Sequence, residues 1–181
     1  MRTQQEVKSL EIFSEILDIV ESTDNRRSVL PQIEELYKKI IREYPETPLA
    51  QESYLRLITI YVDEYSPPDF SKAETLYRDF LEKYPASVLQ NKVENVLANA
   101  YAAHDDWQSL IKLSAPAYKE YLEKGTSSRA SLLFMYAEAN YNLSNYIEAE
   151  RGYEIVSQLF PQLNVGKKAK SILTEMKENQ R

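Results

Sequence analysis

Three aromatic-proline pairs punctuate this chain at nearly even intervals: Tyr44-Pro45, Tyr84-Pro85 and Phe160-Pro161. The first two are 40 residues apart and the third lies 76 further on, two periods of roughly 38. Each pair closes a helix-like run, because proline drives the residue before it out of the α region. Self-similarity at this period marks stacked supersecondary units that cannot bury their apolar faces alone. The spacing therefore predicts an all-α solenoid of helical hairpins.

The residues between the corners carry helical stripes. A first helix over about 3–21 presents Val7, Leu10, Phe13, Ile16, Leu17 and Val20, and the polar stretch Ser22 to Arg27 ends it. The second, with Pro31 in its first turn, carries Leu30, Ile33, Leu36, Tyr37, Ile40 and Ile41. Thr47-Pro48 reads as an N-cap followed by proline at the first helical position. The third stripe is Leu49, Leu55, Ile58, Tyr61, Val62 and Tyr65, stopped by Ser66-Pro67-Pro68. The fourth starts near Asp69 or Ser71 and carries Ala73, Leu76, Tyr77, Phe80, Leu81 and Tyr84.

Capping boxes are expected at Ser71/Glu74 and Ser87/Gln90, with Asn145/Glu148 as a variant. The fifth helix follows Ser87. The sixth starts around Asp105 or Asp106, before Trp107, and ends near Gly125, and Pro116 should kink or split it near Ser114. The seventh spans about 128–143, the eighth carries Ala149, Tyr153, Val156 and Phe160, and the ninth spans about 165–178. No linker or low-complexity segment interrupts them, so the chain reads as one domain over 1–181.

Composition agrees. Only three glycines are present, where a β-sandwich would need many turn glycines. Fourteen tyrosines are unusual, and a tyrosine supplies a packing ring with a polar tip. The net charge of -6 disfavours nucleic acid as a partner. Lys167, Lys168, Lys170, Lys177 and Arg181 oppose Glu175 and Glu178, so the C-terminal end alone is basic. A solvated terminal helix accounts for that run, and a basic tail that steers partners is the alternative. No cysteine is present, which excludes disulfides and cysteine metal sites. No apolar stretch is long enough to insert into a membrane.

These residues resemble the tetratricopeptide repeat family, whose helix-turn-helix unit recurs every 34 residues or somewhat more. In the last repeat Tyr136-Ala137, Tyr141, the turn Ser144-Asn145-Tyr146, Ala149, Tyr153 and Pro161 fall at the family's spacings. The third matches through Leu97-Ala98, Tyr101 and Asp106-Trp107, with Leu110 where Ala is usual, and departs at Pro116. The second has Tyr61, Phe70, Ala73, Tyr77 and Pro85, with an excess of about three residues around Ser66-Pro67-Pro68. The first is the weakest, with Leu30, Ile33, Tyr37 and Pro45.

The resemblance implies a right-handed alpha-alpha superhelix of four hairpins (3–45, 47–85, 87–125, 127–161) and a capping helix over 164–179. It implies a non-catalytic protein-binding scaffold without cofactors. Carried over by position, the groove candidates are Glu52, Arg56, Thr59 and Asp63, then Lys92, Asn95 and Asn99, then Phe134, Met135, Glu138, Tyr141 and Asn142. The Tyr-Pro corners resemble the subtype found in bacterial envelope assembly proteins: the lipoprotein of the barrel assembly machinery and the Tol-Pal partner. The lipid-anchoring cysteine of the former is absent. A native Met1 implies the cytoplasm, whereas a processed fragment of that subtype would belong in the periplasm.

Other constellations read as structural. His104, the sole histidine, precedes Asp105 and Asp106 at a helix junction, where an Asp caps the next helix. Asp63, Glu64 and Asp69 surround a turn. The three glycines are isolated and make no phosphate loop. The alternatives to a groove-binding scaffold are a self-assembling subunit, which would oligomerise through its first or last helix, and an enzyme-associated subunit using the region of His104.

Overall fold

A computed structural model describes residues 3–179. Arg181 of the basic C-terminal run lies outside the described residues. Among these the chain is all-helical: α1 (Gln4–Glu21), α2 (Arg26–Glu43), α3 (Pro48–Thr59), α4 (Phe70–Lys83), α5 (Gln90–Ala103), α6 (Trp107–Lys124), α7 (Ala130–Asn142), α8 (Tyr146–Leu159) and α9 (Asn164–Asn179). Internal contacts divide the chain into two compact units, Met1–Leu97 and Ala98–Arg181, and the boundary falls inside α5.

The three aromatic-proline corners have nearly one backbone geometry. Tyr44, Tyr84 and Phe160 sit at φ/ψ of -133/49, -131/59 and -127/47. In each, the aromatic N–H bonds the carbonyl four residues back (Ile40, Phe80, Val156). The N–H of Thr47, Ser87 or Leu163 then bonds the aromatic's own carbonyl at 3.0–3.1 Å. Proline removes the next helical donor, and the chain reverses in one tight turn.

In the first unit α1 packs on α2, α2 on α3 and α3 on α4, and α1 also touches α3. In the second, α6 packs on α7, α7 on α8 and α8 on α9, with α7 touching α9. Neighbour and next-neighbour packing of this kind is what stacked hairpins produce. The core of the first unit includes Ile16, Ile33, Ile40, Tyr54, Leu57, Tyr61 and Phe80. The second buries Leu110, Ala117, Leu133, Ala137, Ala149, Tyr153 and Val156.

Several expectations are corrected. The buried side of α1 is Ser9, Ile12 and Ile16, so of the expected stripe only Ile16 is buried. Helix α2 begins at Arg26, which puts Pro31 inside it rather than in its first turn. Helix α6 runs unbroken through Pro116, so the expected split does not occur. There the Ser114 hydroxyl donates to the Leu110 carbonyl at 2.6 Å. The boxes at Ser71/Glu74 and Asn145/Glu148 do not form, because Asp69 caps α4 and the Asn145 amide turns to Asn140. The Ser87 hydroxyl accepts from the Leu89 N–H and donates to Gln51. Thr47 is the N-cap residue of α3 with Pro48 at the first helical position, as expected, but its hydroxyl donates back to the Tyr44 carbonyl instead of capping. A true capping box closes α1 instead, between Thr3 and Glu6.

The residues in excess around Ser66-Pro67-Pro68 form a loop that follows an irregular end of α3. Helix α3 widens into a π-helical turn, Ile60–Glu64, closed by Tyr65 N–H to the Ile60 carbonyl at 3.1 Å. The second unit turns differently. Asp105 and Ser144 adopt left-handed conformations (φ 56° and 63°). The next N–H, of Asp106 or Asn145, reaches back to Tyr101 or Asn140 at 2.9 and 2.8 Å. This is the Schellman closure of a helix C-terminus.

Candidate functional site

The groove candidates of α3 lie along the polar side of a helix whose other side is core. Ala50, Ser53, Tyr54, Leu57 and Ile58 are buried. Glu52 and Arg56, one turn apart, pair at 2.9 Å, and Thr59 donates to the Leu55 carbonyl at 2.9 Å. Asp63 sits exposed on the π turn. Partial desolvation of its carboxyl, then the Glu64 charge, raise its pKa. Glu64 is drawn off by Arg26, which grips it with two bonds of 2.5 and 2.9 Å. Asp69 caps α4 through the Lys72 N–H. The three acids of that turn therefore do not converge.

On α5, Lys92 and Asn99 are exposed and Asn95 is half-buried. Lys92 and Asn95 belong to the first unit and Asn99 to the second. On α7 the candidates separate by depth. Phe134 is buried, its ring 5.7 Å from that of Tyr153 and capped by the Lys168 ammonium at 4.7 Å. It offers no open surface to a ligand, because α7 turns this aromatic toward α8 and α9. Glu138 accepts from the Tyr153 hydroxyl at 2.5 Å, with Lys168 at 4.0 Å. Met135 is half-buried. Tyr141 and Asn142 are exposed at the end of the helix, where Tyr141 meets Tyr146 edge-on. In the second unit the structure thus gathers Phe134, Glu138, Tyr153 and Lys168 into one cluster.

Sequence reasoning missed the recurring polar device, which is a tyrosine hydroxyl donating to a carboxylate on a neighbouring helix. Tyr61 and Tyr65 both donate to Glu34, at 2.6 and 2.9 Å, and Lys38 adds a third bond at 2.6 Å. Tyr54 donates to Asp79, Tyr77 to Glu94 and Tyr153 to Glu138. Burial pushes Glu34 toward protonation, but the bonds from Lys38, Tyr61 and Tyr65 outweigh it and hold the carboxyl below its usual range. Burial, reinforced by the acceptor carboxylate, raises the Tyr54, Tyr61 and Tyr153 hydroxyls far above their ordinary value. The abundance of tyrosine was the one available signal. The partners are 15 to 31 residues away, beyond any local spacing rule.

His104 is exposed at the end of α5, and Asp106 caps α6 through the Ser109 N–H. Among the described residues no group of three or more His, Cys, Asp or Glu has the geometry of a metal site, and no helix is long and apolar enough to cross a membrane. No model of a known protein family, no curated protein and no solved structure matches this chain.

Proposed function

We propose that this chain is a non-catalytic scaffold of tetratricopeptide-like hairpins, wound as a right-handed superhelix, that holds a segment of a partner protein against the polar faces of α3, α5 and α7. The observation that carries this reading is the repetition of one backbone corner at Tyr44, Tyr84 and Phe160. Those corners end the second helix of a hairpin, which leaves α3, α5 and α7 as the first helices of successive hairpins. Their polar residues offer charges and amides to a peptide: Arg56, Lys92, Asn95 and Asn99, with Glu52 and Glu138 as acids. The Tyr-Pro corners extend the reading to a role in a multiprotein assembly.

The test is affinity recovery of bound protein from the native organism with the wild type and with Arg56→Ala/Lys92→Ala/Asn99→Ala. The three side chains are exposed, so folding should be unaffected. Recovery should fall about tenfold or more if each contact contributes even ~0.5 kcal/mol. Undiminished recovery removes the groove from the reading.

A further inference from the structure

Helix α1 has a wider apolar surface than its neighbours cover. Its core-facing side, Ser9, Ile12 and Ile16, is buried where α2 and α3 pack against it. Ser9 fits there because it is small and its hydroxyl is satisfied by the Glu6 carbonyl at 3.0 Å. At about 3.6 residues per turn, apolar residues continue round the helix from that edge through Val20, Phe13, Leu17, Leu10 and Val7, with Glu6, Ser14 and Glu21 interspersed among them. Val7 and Leu17 are each 45% exposed, and the other three are half-buried. The flank runs into a shallow cleft formed with the start of α3, lined by Glu6, Ser9, Leu10, Pro48 and Leu49. Beyond its outer edge stand three exposed acids, Asp18, Glu11 and Glu15.

An apolar flank edged mostly by acids, with Lys8 beyond them, selects its occupant by charge. A second copy presenting its own α1 would bring like acids face to face. Helix α9 of a second copy is basic but has already buried Ala169, Leu173 and Met176 in its own unit. A membrane surface is anionic, and helices that lie on it are rich in lysine and arginine rather than glutamate and aspartate. We propose that this flank of α1 docks an amphipathic helix of another protein, with apolar side chains on Leu10 and Leu17 and basic side chains against Glu11 and Asp18. Helix-in-groove recognition uses this division between anchors and rim. The surface shares no residue with the groove candidates of α3, α5 and α7.

The probe is a fluorescent synthetic helix about five turns long, built of leucine on one face and lysine on the other. Fluorescence anisotropy at about 0.15 M salt should show saturable binding to the wild type. Val7→Asp/Leu17→Asp should weaken it at least about tenfold, although the variant is more acidic and general attraction for a cationic peptide would strengthen. Glu11→Lys/Asp18→Lys leaves the apolar flank intact and should weaken binding and flatten its salt dependence. A peptide of the same pattern with glutamate for lysine should not bind. Arg56→Ala/Lys92→Ala/Asn99→Ala should leave probe binding unchanged, which separates failure here from failure of the groove. Binding that is unaltered or tighter in the Asp variant overturns the proposal. So does a dimer of the wild type dispersed by the Asp variant in sedimentation, which makes a second copy the occupant. Flotation with phosphatidylserine vesicles lost in that variant also overturns it, in favour of lipid.

Discussion

The two units solve the same packing problem by different means. In the first, bulky aromatics stand between helices and their hydroxyls are tied to carboxylates: Tyr61 and Tyr65 on Glu34, Tyr54 on Asp79, Tyr77 on Glu94. In the second, which also has such a tie, Tyr153 on Glu138, backbones come close through small residues. Ala137, Ala139, Ala149 and Gly152 are buried on the facing helices α7 and α8, and Gly166 of α9 lies directly on the Phe160 carbonyl. The connections differ in the same sense. The second unit uses two identical Schellman turns, whereas the first leaves α3 through a π turn and a proline loop. Close approach demands regular turns, while long polar side chains bridge a wider and less regular gap. Stability should therefore depend on side-chain volume in the second unit and on hydrogen bonding in the first.

The sharpest way to break this contrast is to add one methyl group. A Cβ at Gly166 would fall within the Phe160 carbonyl, which is backbone and fixed by the corner. Gly166→Ala should cost more than about 3 kcal/mol, read as a lowered denaturant midpoint. A Cβ at Gly152 would come within 2.8 Å of the Ala137 Cβ, a side-chain contact with some room to relax. Gly152→Ala should cost about 1–3 kcal/mol, and Ala137→Gly should suppress that cost in a double-mutant cycle. Near-neutral behaviour at both glycines would mean that the second unit is not held by close approach.

The complementary test in the first unit removes one oxygen and no packing. Tyr61→Phe leaves its ring in place but takes one of three donors from a carboxylate that is only 7% exposed. It should cost about 1–3 kcal/mol, and Tyr65→Phe less, because Tyr65 is only half-buried. If Tyr61→Phe proves neutral, shape alone holds this unit and the two halves do not differ in kind.

Much of this was legible from the sequence, and the failures have physical reasons. The corners were legible because proline acts on its own neighbour, whatever the rest of the chain does. The surplus around Ser66-Pro67-Pro68 was legible, and it forms a loop. The π turn at Ile60–Glu64 just before it was not, because no local spacing marks where the ladder of α3 widens. The stripe on α1 was rotated because its apolar residues cover more than one side, and periodicity does not say which side meets the core. Phe134 was placed in the groove by resemblance and lies inside, under Lys168 and beside Tyr153. The tyrosine–carboxylate pairs were invisible because each joins helices through contacts that only tertiary packing creates.

Acid should also separate the units. Glu34 is held below its ordinary pKa, so its contribution is present above about pH 4.5 and is lost as pH falls through the lower folded value. Glu120 in the second unit is lowered too, first by its bond from Lys124 and then against some burial, with further help from Lys124 and Arg129. Its side chain is 26% exposed, against 9% for Glu34, so solvent screens it more. Glu34→Gln should flatten the acid limb of the stability curve more than Glu120→Gln does. At high pH the sign reverses. Tyr54, Tyr61 and Tyr153 have raised folded values, so the stability they add is present below about pH 10 and drains away above it. Absorbance near 295 nm should show a class of tyrosines that ionises only on unfolding, and Tyr61→Phe and Tyr153→Phe should each reduce it.

The smallest effect should be a gain. Ser144 holds a left-handed backbone at φ 63° with a side chain that disfavours it, and it is exposed. Ser144→Gly relieves that strain but gives the unfolded chain more freedom, so the net stabilisation should be no more than about 1 kcal/mol. Asp105, at φ 56° in the equivalent turn, should respond alike if the two turns are one motif. A matched rise in melting temperature for Ser144→Gly and Asp105→Gly would establish the regularity of the second unit at its turns. A gain at one position and a loss at the other would show that the two turns share a shape but not a source of stability.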